Sequence, residues 1–94
     1  MTRFVVRVEL HNATWEDYEK LHAQMAAIGL GRAIIDSDGV WYDLPPAEYY
    51  GEGTGTREGV LESVKAAAAK VKTSYAVLVT ESVASTWYNL PVSR

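Results

Sequence analysis

Residues 38–50, Asp-Gly-Val-Trp-Tyr-Asp-Leu-Pro-Pro-Ala-Glu-Tyr-Tyr, restrict the fold more than any other run of this chain. Asp38-Gly39 supplies residues that tolerate positive φ in a tight hairpin. Val40-Trp41-Tyr42 has the β-branched and aromatic composition that suits a pleated, half-buried surface. Proline cannot donate to a ladder, so Pro45-Pro46 is expected to end that strand. Upstream, residues 31–36 carry Ala33, Ile34 and Ile35, and the Ser37-Asp38-Gly39 turn folds them back onto residues 40–44 as an antiparallel hairpin.

The other elements follow from periodicity. Residues 3–10 alternate, with Phe4, Val6, Val8 and Leu10 on one side and Arg3, Val5, Arg7 and Glu9 on the other, the pattern of a strand with one greasy and one mixed face. After the loop His11-Asn12-Ala13, Thr14 is placed to cap a helix, with Asp17 three residues on as a variant capping box. Tyr18, Leu21, Met25 and Ile28 form one stripe of that helix, and Gly29 is its natural stop. Residues 45–55 read as a long irregular connector with Gly51, Gly53 and Gly55 alternating. Thr56 then caps a second helix whose stripe is Val60, Val64, Ala67 and Val71, flanked by Leu61 and Ala68. Residues 75–80 are the last clear strand, and in the tail Trp87-Tyr88-Asn89-Leu90-Pro91 echoes Trp41-Tyr42-Asp43-Leu44-Pro45, a candidate fifth strand at an edge.

The expected order is β-α-β-β-α-β, a ferredoxin-like α+β fold. Its four-stranded antiparallel sheet would carry both helices on one face. At 94 residues the chain, 1–94, is one domain with a single two-layer core and no room for a large cofactor. Its 48% apolar and 22% charged residues place it among folded chains rather than disordered ones. It has no cysteine, which removes disulfides, zinc-thiolate sites and thiol nucleophiles. No run approaches the roughly 20 apolar residues of a membrane span, so no membrane partner is expected and a cytoplasmic location is the default.

The net charge of −3 gives no overall attraction for a polyanion, so any nucleic-acid contact must come from a local patch. Arg3, Arg7 and Arg32 fall in or beside the strands, whereas most of the acid lies in the first helix, residues 36–52 and the start of the second helix. With Trp41 beside Arg3 and Arg7 on the face away from the helices, the sheet is a platform on which single-stranded RNA would stack its bases and set its phosphates against arginine. The same apolar-plus-arginine mixture suits a homodimer interface, with Trp41 and Val5 buried between copies. The first and third strands lack the Lys/Arg-Gly-aromatic-Gly/Ala-Phe signature of RNA-recognition motifs.

For chemistry, Glu9 and His11 at the end of the first strand are the candidate catalytic pair. Histidine is the side-chain type that changes charge nearest neutral pH, which suits a general acid or base in RNA cleavage. His22, on the flank of the first helix stripe, reads as structural. Glu9, Asp36 and Asp38 could recruit magnesium at strand ends, although carboxylates are also common turn formers. The loop Gly51-Glu52-Gly53-Thr54-Gly55-Thr56 precedes a helix but lacks the Gly-Lys-Ser/Thr of a phosphate-binding loop, and Glu52 would repel an anion.

Several runs together resemble the GhoS-type family, the antitoxins of type V toxin–antitoxin systems. They are Gly39-Val40-Trp41-Tyr42-Asp43-Leu44-Pro45-Pro46-Ala47-Glu48-Tyr49, the opening Phe4-Val5-Val6-Arg7-Val8-Glu9-Leu10, the Tyr18, Leu21, Met25 helix with Gly29, and Tyr75-Ala76-Val77-Leu78-Val79. The resemblance implies a ferredoxin-like endoribonuclease acting on the messenger of a membrane-damaging toxin. The related small adaptation nucleases place an aspartate at the end of the first strand, where this chain has Glu9-Leu10-His11, so their catalytic set does not carry over residue by residue. Two functions stand as expectations: an antitoxin-like RNA-binding protein or endoribonuclease, and a non-enzymatic homodimeric interaction module.

Overall fold

The computed structural model describes residues 1–94 as β1 (Thr2–Leu10), α1 (Trp15–Ala27), β2 (Ala33–Ile35), β3 (Trp41–Asp43), β4 (Glu48–Gly53), α2 (Arg57–Ala69) and β5 (Tyr75–Ser82). This is an α+β chain with two antiparallel sheets, one of three strands in the order β4-β1-β5 and one formed by the hairpin β2-β3. β1 is central, with Val6 opposite Tyr49 and Val79, and Arg7 opposite Glu48 and Leu78. Its alternation sets the layers. Phe4, Val6, Val8 and Leu10 are buried with Tyr49 beneath Leu21 and Met25 of α1 and Val64, Ala67 and Ala68 of α2.

The helix ends form as their residues dictate. Thr14 and Asp17 make a reciprocal capping box, Thr56 accepts from the Gly59 N–H, and Gly29 at φ +85° turns the chain out of α1. Ile28 departs from the expected stripe. It lies on the C-cap and is 40% exposed, while the turn at Gly29 drives Leu30 into the core instead.

The sequence reading of residues 45–55 as an irregular connector is corrected: Glu48–Gly53 is the strand that pairs with β1. Pro45-Pro46 ends β3 but does not leave the chain unstructured. The Glu48 N–H returns to the Pro45 carbonyl with Ala47 at φ +71°, a tight turn that feeds Tyr49 and Tyr50 onto the edge of β1. Within β4 the glycine at position 51 has a steric cause. A Cβ there would lie 2.5 Å from the Gly29 carbonyl oxygen and 2.8 Å from Leu30 Cδ2, so only glycine lets the end of α1 rest on the strand.

The sheet face away from the helices is not fully open, as the sequence reading had it. Ile34, Leu44 and Tyr50 form a second small core, with Val5, Ile35, Tyr42, Trp87 and Leu90 packed around it. The hairpin and the C-terminal tail therefore cover the half of that face around Val5 and Tyr50. The tail does not join the main sheet. It meets β3 through the Tyr42–Val92 bridge, with the Asp43 N–H on the Pro91 carbonyl and the Ser93 N–H on that of Trp41. No helix is long and apolar enough to cross a membrane.

Candidate functional site

The uncovered half of the sheet ends at Glu9 and His11, and hydrogen bonds to α1 and to the start of β5 hold this strand end. The Leu10 N–H donates to the Tyr18 hydroxyl at 3.0 Å, fixing the end of β1 to α1. Asn12 then adopts the left-handed region at φ +53° and turns the chain away. His11 is clamped to the start of β5: its N–H donates to the Ser74 carbonyl at 3.1 Å, and its Nδ1 lies 2.7 Å from Ser74 Oγ. On the other side Nε2 faces the Glu9 carboxylate at 3.6 Å, an ion-pair distance for a protonated imidazole and longer than a hydrogen bond.

In the tautomer whose Nδ1–H donates to the Ser74 hydroxyl oxygen, the Nε2 lone pair on the Glu9 side is free to take up a proton. Ser74 is the residue that sequence reasoning missed. It lies 63 positions from His11, and only the β1–β5 register brings the two together. All three side chains are accessible: His11 and Glu9 are 43% and 60% exposed, and two surface hollows of about 370 and 210 Å³ are lined by other residues. The cluster suits an extended substrate lying over the surface rather than a small molecule enclosed by it.

The four residues expected to contact nucleic acid do not form one patch. Arg7 is exposed on the uncovered half of the sheet, between Glu48 and Leu78. Arg3 lies at the far end of β1, 3.8 Å from Glu52, on the rim of the larger hollow with Asp36, Tyr50 and Trp87. Trp41 is 44% exposed and meets the Tyr50 ring edge-on at 6.4 Å, so it belongs to the hairpin's packing on the sheet. Arg32 is the clearest departure. Its guanidinium donates to the carbonyls of Pro45, Leu44 and Glu48 and stands 5.5 Å over the Tyr49 ring, where it fastens the β3–β4 turn instead of facing a ligand.

The carboxylates named for magnesium are also apart. Asp36 Oδ1 accepts the Asp38 and Val40 N–H groups and holds the hairpin turn, and no group of three His, Cys, Asp or Glu side chains converges to hold a metal. Before α2, Thr56 Oγ1 already occupies one of the amide donors an anion would need. His22 is structural, as its place on α1 suggested. Its Nδ1 is 2.7 Å from the Tyr49 hydroxyl, burial and the Arg32 charge hold its pKa below the ordinary value, and the neutral ring accepts a hydrogen bond from the Tyr49 O–H. Burial pushes the Tyr49 phenol up to about 12.

Comparison with protein-family models and with curated proteins finds no match to this chain.

Proposed function

We propose that this chain binds single-stranded RNA across the uncovered half of its sheet and cleaves it at Glu9, His11 and Ser74. The observation that carries this reading is the imidazole of His11 set between a hydroxyl and a carboxylate at an exposed strand end. Such a cluster lacks an enclosing pocket, and RNA supplies its own nucleophile, the 2′-hydroxyl. His11, its Nδ1–H held by Ser74, takes the 2′-hydroxyl proton on Nε2 as that oxygen bonds to the adjacent phosphorus. The bond from phosphorus to the 5′-oxygen breaks, and the departing oxygen takes a proton from water. The Glu9 carboxylate, 3.6 Å from Nε2, faces the imidazolium so formed. Arg7 is four residues back along β1, about 13 Å away at the strand rise, so it holds a neighbouring phosphate rather than the reacting one.

Two further points support this reading. The resemblance to type V antitoxins would make the natural substrate a messenger RNA. The Gly31–Tyr50 bridge sets the approach to β2 beside β4, which is the fourth strand position of a ferredoxin-like sheet. Labelled single-stranded RNA, incubated with and without magnesium, tests the chemistry. Metal-independent cleavage leaving 2′,3′-cyclic phosphate ends is expected, falling about 100-fold or more in His11→Ala. RNA left intact by the wild type would overturn the enzyme. Arg7→Ala should weaken binding and flatten its salt dependence by about one phosphate contact.

A second reading, a non-enzymatic homodimeric module, is favoured by Leu78, which is 63% exposed beside Arg7.

A further inference from the structure

β5 is an edge strand with nothing on its outer side. The hydrogen bonds from Val8 to Ala47 and from His11 to Ser74 fix the alternation in β1: even residues bond to β4 and odd ones to β5. In β5, then, Ala76, Leu78, Thr80 and Ser82 turn their backbone groups toward β1, while Tyr75, Val77, Val79 and Glu81 turn theirs outward. No backbone or side-chain hydrogen bond reaches those outward groups. Edge strands are commonly protected by lysine, proline, a bulge or a short length. This one runs eight residues, Tyr-Ala-Val-Leu-Val-Thr-Glu-Ser, with Glu81 its single charge.

We propose that β5 pairs antiparallel with β5 of a second copy about a two-fold axis at Leu78, joining two three-stranded sheets into one of six strands. The strand is self-complementary in this register. Leu78 meets Leu78, the exposed apolar side chain on the axis. Val77 meets Val79 on the helix side, Ala76 meets Thr80, and Glu81 faces Tyr75 rather than another carboxylate, so no like charges are opposed. The outward amides and carbonyls of Tyr75, Val77, Val79 and Glu81 all find partners. One consequence rests on the RNA reading: across the joined sheet the row through His11 and Ser74 continues into the partner's Ser82 and the partner's Arg3, which would bring an arginine toward each cleavage cluster.

Because the chain has no cysteine, a single introduced thiol reports the geometry. Leu78 opposite Leu78 is a non-hydrogen-bonded pair with Cα atoms about 4.5 Å apart, which lies within the span a disulfide bridges. Under mild oxidation Leu78→Cys should convert to covalent dimer, while Trp15→Cys, at a 69% exposed position on α1, stays largely reduced. By sedimentation equilibrium the wild type should weigh about twice 10.4 kDa and Leu78→Lys about 10.4 kDa, with the circular dichroism spectrum unchanged because the side chain is exposed in the single chain, and with the concentration dependence of melting lost along with the dimer. A wild type that sediments as a single chain at its highest soluble concentration overturns the interface. Cross-linking of Leu78→Cys no faster than that of Trp15→Cys does the same. Cleavage of RNA by a wild type that sediments as a single chain would remove this interface and leave the RNA chemistry standing, whereas a wild-type dimer inert toward RNA would do the reverse.

Discussion

Replacing Gly51 with alanine tests how α1 is seated on the sheet. The added Cβ would lie 2.5 Å from the Gly29 carbonyl oxygen, where ordinary van der Waals contact begins near 3.4 Å, so something must yield by close to an ångström. Little there can yield cheaply. Gly29 sits at φ +85° with its N–H on the Ala26 carbonyl, Leu30 is bonded to Met25, and Gly31 and Tyr50 exchange two hydrogen bonds of 2.9 Å. Overpacking of this kind costs about 1–3 kcal/mol, and losing the Gly31–Tyr50 pair adds roughly 1 kcal/mol. Against this, alanine recovers about 0.4–1 kcal/mol by restricting the unfolded chain. The balance is a loss of roughly 1–3.6 kcal/mol, a drop in Tm of about 4–29 °C for a domain of this size. Thermal unfolding followed by circular dichroism measures it, with Gly53→Ala as the control because a Cβ there meets nothing within 4 Å. Equal melting of the two variants would refute the steric account of Gly51.

Arg32→Ala should destabilise the fold by about 2 kcal/mol, since three turn carbonyls lose their donor. Arg32→Lys should not restore it, because an ammonium cannot fork to all three. RNA affinity per folded molecule should stay unchanged, and a selective loss of binding would return Arg32 to the ligand face. The depressed pKa of His22 means that the unfolded chain binds its proton first. Stability is then fully present above about pH 6.5 and is lost as pH falls through the lower folded value, a decline that denaturant titrations should show and His22→Gln should flatten. Tyr49 works in the opposite sense. Its phenol is raised from 10.0 to about 12, so stability holds below pH 10 and falls through that interval by about 3 kcal/mol, as alkaline melts followed by tyrosinate absorbance should record.

Local chemistry determined much of this chain without reference to its neighbours. The alternation of Phe4, Val6, Val8 and Leu10, the Thr14–Asp17 capping box, the Gly29 stop, the Thr56 cap and the Asp38-Gly39 turn are each decided within a few residues, and each is formed as its residues require. Glu9 and His11 share one strand end for the same reason. What local pattern could not supply is which strand lies beside β1. Tyr49 and Tyr50 carry strand composition, but the glycines and prolines around them read as a connector until the Pro45 turn and the close approach of Gly29 to Gly51 are in place. Arg32 resembles a free surface cation in sequence, and only the folded β3–β4 turn presents the three carbonyls that engage it. Ser74 beside His11 and the unpaired edge of β5 are likewise products of register, a relation between segments more than sixty residues apart that periodicity within either segment does not encode.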